Sequence, residues 1–252
     1  MKITLLQQDI AWKNPRENLR KADAMINAEP GSDLYVLPEM FTTGFCTEPS
    51  EVAEAEGGET LQWMLRKAAE VDAAIAGSVV VSEGGKYYNR FYFVEPDGSV
   101  HRADKRHLFT YGGEDKCFTP GDRRVVVNFR GWRILLLVCY DLRFPIWARN
   151  RKDYDLILYV ASWPAGRRSV WDILLRARAI ENQCYVAGVN RVGKDPFGEY
   201  NGGTQMSDPF GNTLALCTDD KEDTVTVEPN MQRLDNFRRK FPVLNDADYC
   251  NL

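Results

Sequence analysis

The stretch ILLLVCYDLRFP, Ile134 to Pro145, decides how the rest of the chain is read. Five apolar residues in a row run into Cys139, followed by Tyr140, Asp141, Arg143 and Pro145. A short unbroken apolar run fits a strand covered on both faces, as in α/β sheets. A cysteine within such a core is inert. A cysteine where the strand stops stands where ligand sites form, beyond the carboxyl ends of the strands. The stretch thus raises a fold and a nucleophile together.

Working outward, similar runs recur as KITLLQQ, DLYVLPE, AAIAGSVVVS, NRFYFVEP, DLILYVAS, CYVAGVN and DTVTVEP. Three segments carry helical spacing instead. These are NPRENLRKADAMINA, with Pro15 near its start, ETLQWMLRKAAEV with Leu61, Met64, Leu65 and Ala68, and SVWDILLRARAIENQ with Trp171, Leu174, Leu175 and Ile180. From Lys86 to Arg106 strands follow one another with only a turn signal between them. The mixture of βαβ-like units and meander predicts a single α/β domain over residues 1–252 with two layers of sheet. From about residue 230 to 252 the sequence turns charged and then irregular. It reads as a C-terminal arm laid on the surface or on a second subunit.

Composition removes several function classes. Of 252 residues, 44% are hydrophobic and 27% charged, and the net charge is −4, which disfavours a nucleic-acid groove or a basic membrane-binding face. No apolar run approaches the roughly 18 residues of a membrane span. The start, MKITLLQQDI, reads as a strand and not as a signal peptide, so the expected location is the cytoplasm. Six scattered cysteines without CxxC spacing suit reduced thiols better than a disulfide framework. With His101 and His107 the only histidines, a Cys/His zinc site is not expected, and the reading needs neither metal nor other cofactor.

GVNRVGKD, Gly188 to Asp195, nearly fits a phosphate-binding loop, but Asp195 stands where Ser or Thr would hold magnesium and a turn-rich stretch follows in place of a helix. Cys139 needs a base or positive neighbours to react. One source would be a histidine, His101 or His107, although nothing local marks either. Another is a carboxylate with an amine. Glu39 ends the run DLYVLPE, Lys105 ends VHRADK, and Glu114 lies in a Gly-rich loop. Any one charged residue at a strand end ordinarily faces solvent. Three apolar strands ending in Glu, Lys and Cys form a combination suited to chemistry.

The segments LPEMFTTGF, DKRHLF, LVCYDLRFPIWARN and SWPAGRRSVWDILLRARAIENQCYVAGVNRVG resemble, in order and over nearly the whole chain, the carbon–nitrogen hydrolase (nitrilase) superfamily, and within it the bacterial omega-amidase branch. The resemblance implies a four-layer α-β-β-α sandwich, usually paired across a two-fold as a homo-oligomer, dimer or higher. It implies a catalytic Glu39, Lys105 and Cys139, with Glu114 as a second glutamate. It further implies a thioester route in which Lys105 and the Tyr140 backbone N–H stabilise the oxyanion. The implied substrate is a small-molecule amide, 2-oxoglutaramate or 2-oxosuccinamate, with no nucleic acid or membrane as partner. A nitrile or an N-carbamoyl compound remains the alternative, since the same residues would serve.

Other positions carry two readings each. Arg143 either pins the strand end by pairing with an acid or meets substrate. Arg167 either binds a substrate carboxylate or is solvated, and Arg106 is a third cation beside the catalytic segments. Phe41, Tyr140 and Trp163 are candidates for pocket walls. A silent binding protein on the same fold and a redox sensor at Cys139 are the non-hydrolytic readings. The second would favour a resolving thiol close by in space, since none lies close in sequence.

Overall fold

The structure of the protein, a computed structural model, describes residues 1–248. The chain first lays down β1 (Ile3–Gln7), β2 (Leu34–Val36), β3 (Glu54–Ala55), β4 (Ala74–Glu83), β5 (Lys86–Val94) and β6 (Val100–Asp104) as one sheet. A second sheet starts with β7 (Val126–Phe129), β8 (Trp132–Val138), β9 (Leu156–Ala161) and β10 (Tyr185–Asn190). A detached hairpin of β11 (Val192–Asp195) and β12 (Gly198–Asn201) follows. Next, β13 (Gln205–Ser207) and β14 (Thr213–Leu216) rejoin the second sheet, and β15 (Asp223–Val227) returns to the first beside β1. The helices are α1 (Pro15–Ala28), α2 (Glu59–Val71), α3 (Pro145–Ala148), α4 (Arg168–Asn182) and α5 (Met231–Lys240).

Parallel neighbours need crossovers, and the helices supply them. Strands β1, β2 and β4 are parallel with α1 and α2 between them, and β8, β9 and β10 are parallel with α3 and α4 between them. Side chains alternate across each strand. Ile3 and Leu5, Leu34 and Val36, and Phe91 and Phe93 turn inward to a core shared with Ile134, Leu136 and Leu158 of the second sheet. Leu6, Tyr35, Ile75 and Tyr92 turn outward, under Leu19 and Ile26 of α1 and Met64 of α2. On the far side Trp171, Leu175 and Ala179 of α4 cover the second sheet. The layers are therefore α-β-β-α, as expected.

The close fit of α4 on β10 depends on Gly188. A Cβ there would lie 2.5 Å from a Leu175 methyl and 2.7 Å from the Trp171 ring. Under the first sheet, Leu61, Met64 and Ala68 are buried on one face of α2. Met64→Ala would cost about 2–5 kcal/mol through lost burial and the cavity left behind.

The charged segment after Pro229 is more regular than its sequence suggests. Residues Met231–Lys240 form α5, capped by Asn230, whose Oδ1 accepts from Arg233 N at 2.9 Å. Leu234 is buried, and Arg238 reaches back to Asp155 at 2.6 Å and to Tyr154 O at 2.9 Å. Met231 also packs against the core and Phe237 against the Phe210 ring at 4.2 Å, so the helix docks through one face and leaves the other to solvent. The end of the expected arm, 249–252 with Cys250, lies outside the described residues. Among the described residues no helix is long and apolar enough to cross a membrane.

Candidate active site

Glu39 follows β2, Lys105 follows β6, Cys139 follows β8 and Ser162 follows β9. All four groups meet at one edge of the sandwich, where both sheets end. Glu39 is fully buried. Its Oε1 accepts from Lys105 Nζ at 2.8 Å and Asn89 Nδ2 at 2.8 Å, and its Oε2 accepts from Ser162 N at 2.8 Å. The last bond joins the two sheets across the site. Glu114, also fully buried, lies 2.9 Å from Lys105 Nζ through Oε2 and accepts from Phe109 N at 2.7 Å.

Cys139 opens a 3-10 turn, Cys139–Arg143, and has the left-handed φ of +45°. That conformation is costly for a residue with a Cβ and persists where surroundings enforce it. Asp141 is the enforcing group. Its Oδ2 accepts from Val138 N at 3.0 Å, and its Oδ1 accepts from His107 N at 2.9 Å and lies 2.8 Å from His107 Nδ1. From α4, Arg178 donates to Leu142 O at 2.6 Å.

The electrostatics follow from burial. Burial first, and then the negative charge of Glu39, push the Cys139 thiol well above its usual value, with Lys105 and the Ser162 N–H opposing. Burial works against charge on Lys105, yet Glu114 and Glu39 outweigh it and raise its pKa. Burial raises Glu114, with Lys105 opposing and Glu39 adding to the rise. A lysine ammonium has three donors and no acceptor. Two of its protons face Glu39 and Glu114, which leaves the third for a ligand.

A cavity of about 410 Å³ opens above Cys139 and Lys105. Tyr140, Arg143, Trp163 and Arg167 line it, as do Phe45, Phe109, Phe197 and Tyr200. Of the two readings for Arg143, pairing with an acid is not seen among the described residues, and the guanidinium lies over the Trp163 ring at 5.1 Å. Arg167 lies over the Phe109 ring at 5.3 Å. Neither arginine forms an ion pair among the described residues.

Two expected wall residues are elsewhere. Phe41 is fully buried on the outer face of the first sheet, 6.0 Å from the Trp63 ring of α2. Arg106 donates to Gly121 O at 2.9 Å and lies over Trp147 at 5.4 Å, lining a separate hollow with His107. It lies in the bend that follows β6 and turns away from Lys105. The histidines also face elsewhere, His107 against Asp141 and Phe144 and His101 against Glu95. Cys139 is the only described cysteine lining the cavity. Among the described residues no cluster of three or more His, Cys, Asp or Glu side chains is arranged to hold a metal ion.

Sequence reasoning missed Asn89, Ser162, Asp141 and the walls Phe45, Phe109, Phe197 and Tyr200. Asn89 had a usable signal, an amide inside the apolar strand KYYNRFYFV. A buried polar group in a strand needs partners, and here it finds both glutamates.

Sheets that end together around buried ionisable groups, beneath a cavity, define an α/β sandwich enzyme. A family model described as carbon-nitrogen hydrolase matches residues 2–239, and the chain belongs to that family as a hydrolase of carbon–nitrogen bonds. It is 48% identical to Omega-amidase YafV of Escherichia coli (strain K12), over 100% of this chain and 98% of that protein. It is 35% identical to 2-oxoglutaramate amidase of Bacillus subtilis (strain 168), over 97% and 96%. Among solved structures, XC1258 of Xanthomonas campestris, a CN-hydrolase superfamily protein with an arsenic adduct in the active site, superposes with a TM-score of 0.97 at 40% identity, over 100% and 98% of the two chains.

Proposed function

We propose that the enzyme hydrolyses the terminal amide of small 2-oxo dicarboxylic acid monoamides, 2-oxoglutaramate and 2-oxosuccinamate, through a thioester on Cys139. The observation that carries this reading is the pairing of a buried Glu39–Lys105–Glu114 cluster beside Cys139 with a cavity holding Arg143 and Arg167, which have no acidic partner among the described residues. The names of the E. coli and B. subtilis relatives support the substrate class. Arsenic is thiophilic, and the adduct in the Xanthomonas relative supports a reactive thiol.

In the first half-reaction Glu39 takes the thiol proton as sulfur attacks the amide carbon. The tetrahedral oxyanion meets the third Lys105 proton and the Tyr140 N–H, which lies in the first positions of the 3-10 turn, where N–H groups have no partner within the turn. Glu39 returns the proton to the departing nitrogen, the C–N bond breaks, and ammonia leaves a thioester. Glu39 then takes a proton from water, hydroxide adds to the thioester carbon, and the sulfur leaves with that proton restored. Glu114 stays fixed and holds Lys105.

The free carboxylate of such a substrate loses water on entry and needs a cation. Besides Lys105, Arg143 and Arg167 are the cations lining the cavity. The test is a panel of anionic amides, neutral amides of equal length, nitriles and N-carbamoyl compounds, scored by ammonia release. Preference for the anionic amides supports the reading. Equal efficiency for neutral ones removes the substrate assignment, and preference for a nitrile or carbamoyl compound replaces it. The family resemblance also implies a homo-oligomer, while the composition and the N-terminal strand suggest the cytoplasm; light scattering that showed a monomer at micromolar concentration would exclude the assembly.

A further inference from the structure

The stretch GVNRVGKD, so close to a phosphate loop, takes no part in the chemistry above, yet three of its polar side chains are deeply buried while Lys194 is exposed. Asn190 and Arg191 are fully buried, and solvent does not reach the Asp195 side chain. Asn190 grips the backbone of Trp163 from both sides. Its Oδ1 accepts from Trp163 N at 2.7 Å, and its Nδ2 donates to Trp163 O at 3.0 Å and Gly202 O at 2.7 Å. Arg191 Nη1 donates to Asp195 Oδ2 at 2.8 Å, and its guanidinium lies 4.3 Å from the Tyr200 ring centroid. Asp195 Oδ1 accepts from Phe197 N at 2.8 Å and from the Tyr200 hydroxyl at 3.2 Å. Trp163, Phe197 and Tyr200 all line the catalytic cavity.

We propose that Asn190, Arg191 and Asp195 are positioning residues that hold these three walls and so set which acyl chains the cavity admits. The hairpin β11–β12 belongs to neither large sheet, and its backbone is tied to neighbouring segments by few bonds, Val192 N to Gln8 O at 3.1 Å and Asp220 N to Asn201 O at 3.3 Å. Its placement over Cys139 therefore depends largely on side chains. A buried ion pair adds little stability over apolar residues of the same volume, but breaking it leaves a buried charge alone. Such a pair fixes geometry, here the distance between the hairpin and the end of β10. Arg191 also donates to Ile10 O at 3.0 Å, so the strut is anchored in the first sheet's side of the molecule as well. None of the three residues is bonded to Glu39, Lys105, Glu114 or Cys139. Loosening them should weaken binding without slowing the bond-making steps.

The inference rests on the amidase reading for its substrates, and the test separates the two. In the full chain, Arg191→Met should raise KM for a glutaramate-type amide by about tenfold or more while kcat stays within about threefold, with Arg191→Lys in between. The second readout needs no turnover. Alkylation of Cys139, followed by mass spectrometry, is compared for iodoacetamide and its bulkier N-phenyl derivative. The bulky-to-small rate ratio should rise by about fivefold or more in Arg191→Met, as the wall gives way. Unchanged KM and an unchanged ratio would overturn the proposal. So would a fall in kcat and in the iodoacetamide rate at constant KM, because the pair would then serve the chemistry. If the wild type hydrolyses no amide, the amidase reading falls and the alkylation ratio still decides the walls. Should Arg191→Met not fold, Tyr200→Phe removes only the hydroxyl bonded to Asp195 and is judged by the same ratio.

Discussion

Lys105 Nζ lies 2.8 Å from Glu39 Oε1, and solvent reaches neither side chain. With Glu114 on the other side of the ammonium, one buried cation serves two buried carboxylates. A thiolate on Cys139 would add another negative charge to a dry site. The arrangement therefore favours a neutral thiol at rest, deprotonated only as it attacks.

That relationship gives the first prediction. Cys139 alkylation should keep rising with pH through the ordinary thiol range near about 8.5, with no plateau at neutrality. The sign follows from the raised thiol pKa, since less thiolate is present at any given pH. A plateau below about pH 7, measured by iodoacetamide kinetics, would mean a resting thiolate and would remove Glu39 as the base. Cys139→Ala should abolish turnover and keep the fold.

Lys105→Met should lower kcat by about a hundredfold or more, because an oxyanion donor acts in the transition state. It also leaves Glu39 and Glu114 without their shared cation, so a thermal melt should show a loss of stability. A rise in KM alone, with kcat intact, would make Lys105 a binding residue.

Replacing Arg143 or Arg167 with Met should raise KM for an anionic amide by about tenfold, the scale of a hydrogen bond to a charged group. A neutral amide of equal length should respond far less. Equal responses to both substrates would show that these arginines shape the wall without holding a carboxylate.

Asp155 predicts acid sensitivity away from the site. Burial opposes its charge, but hydrogen bonds from Arg133 and Arg238 outweigh burial and hold its pKa below the usual carboxylate range. A depressed folded pKa contributes stability above the unfolded value, and that stability is lost as pH falls through the folded one. Asp155→Asn should cost about 2 kcal/mol near neutrality, less than a fully buried pair because Arg133 is partly exposed. The difference from wild type should shrink in urea melts taken below about pH 4. A constant difference across pH would show that the carboxylate charge is not responsible.

Strands β1, β2, β4, β5, β6, β8, β9, β10 and β15, the three long helices of the βαβ units and the catalytic candidates Glu39, Lys105, Glu114 and Cys139 were legible in the sequence, whereas the short β3, β7 and β11 to β14 were not. Strand and helix periods are local properties, and a chemical group at the end of an apolar run is visible without knowing what lies opposite. The four-layer arrangement and the family likewise followed from motifs spread along the chain. Only the tertiary structure decided what faces the cavity. Phe41, two residues beyond Glu39, turns outward under α2, whereas Phe45 lines the cavity. Arg106 faces away while Arg167, sixty-one positions further on, faces in. Asn89 is one amide in the middle of β5 until the fold carries it to Glu39, fifty residues away in sequence. The helix in the C-terminal segment was equally hidden, because its docking depends on Leu234 and Arg238 meeting a surface built from other strands. Alternation along a strand separates two faces, but which face meets the cavity depends on how two sheets stack, and no local pattern of residues records that.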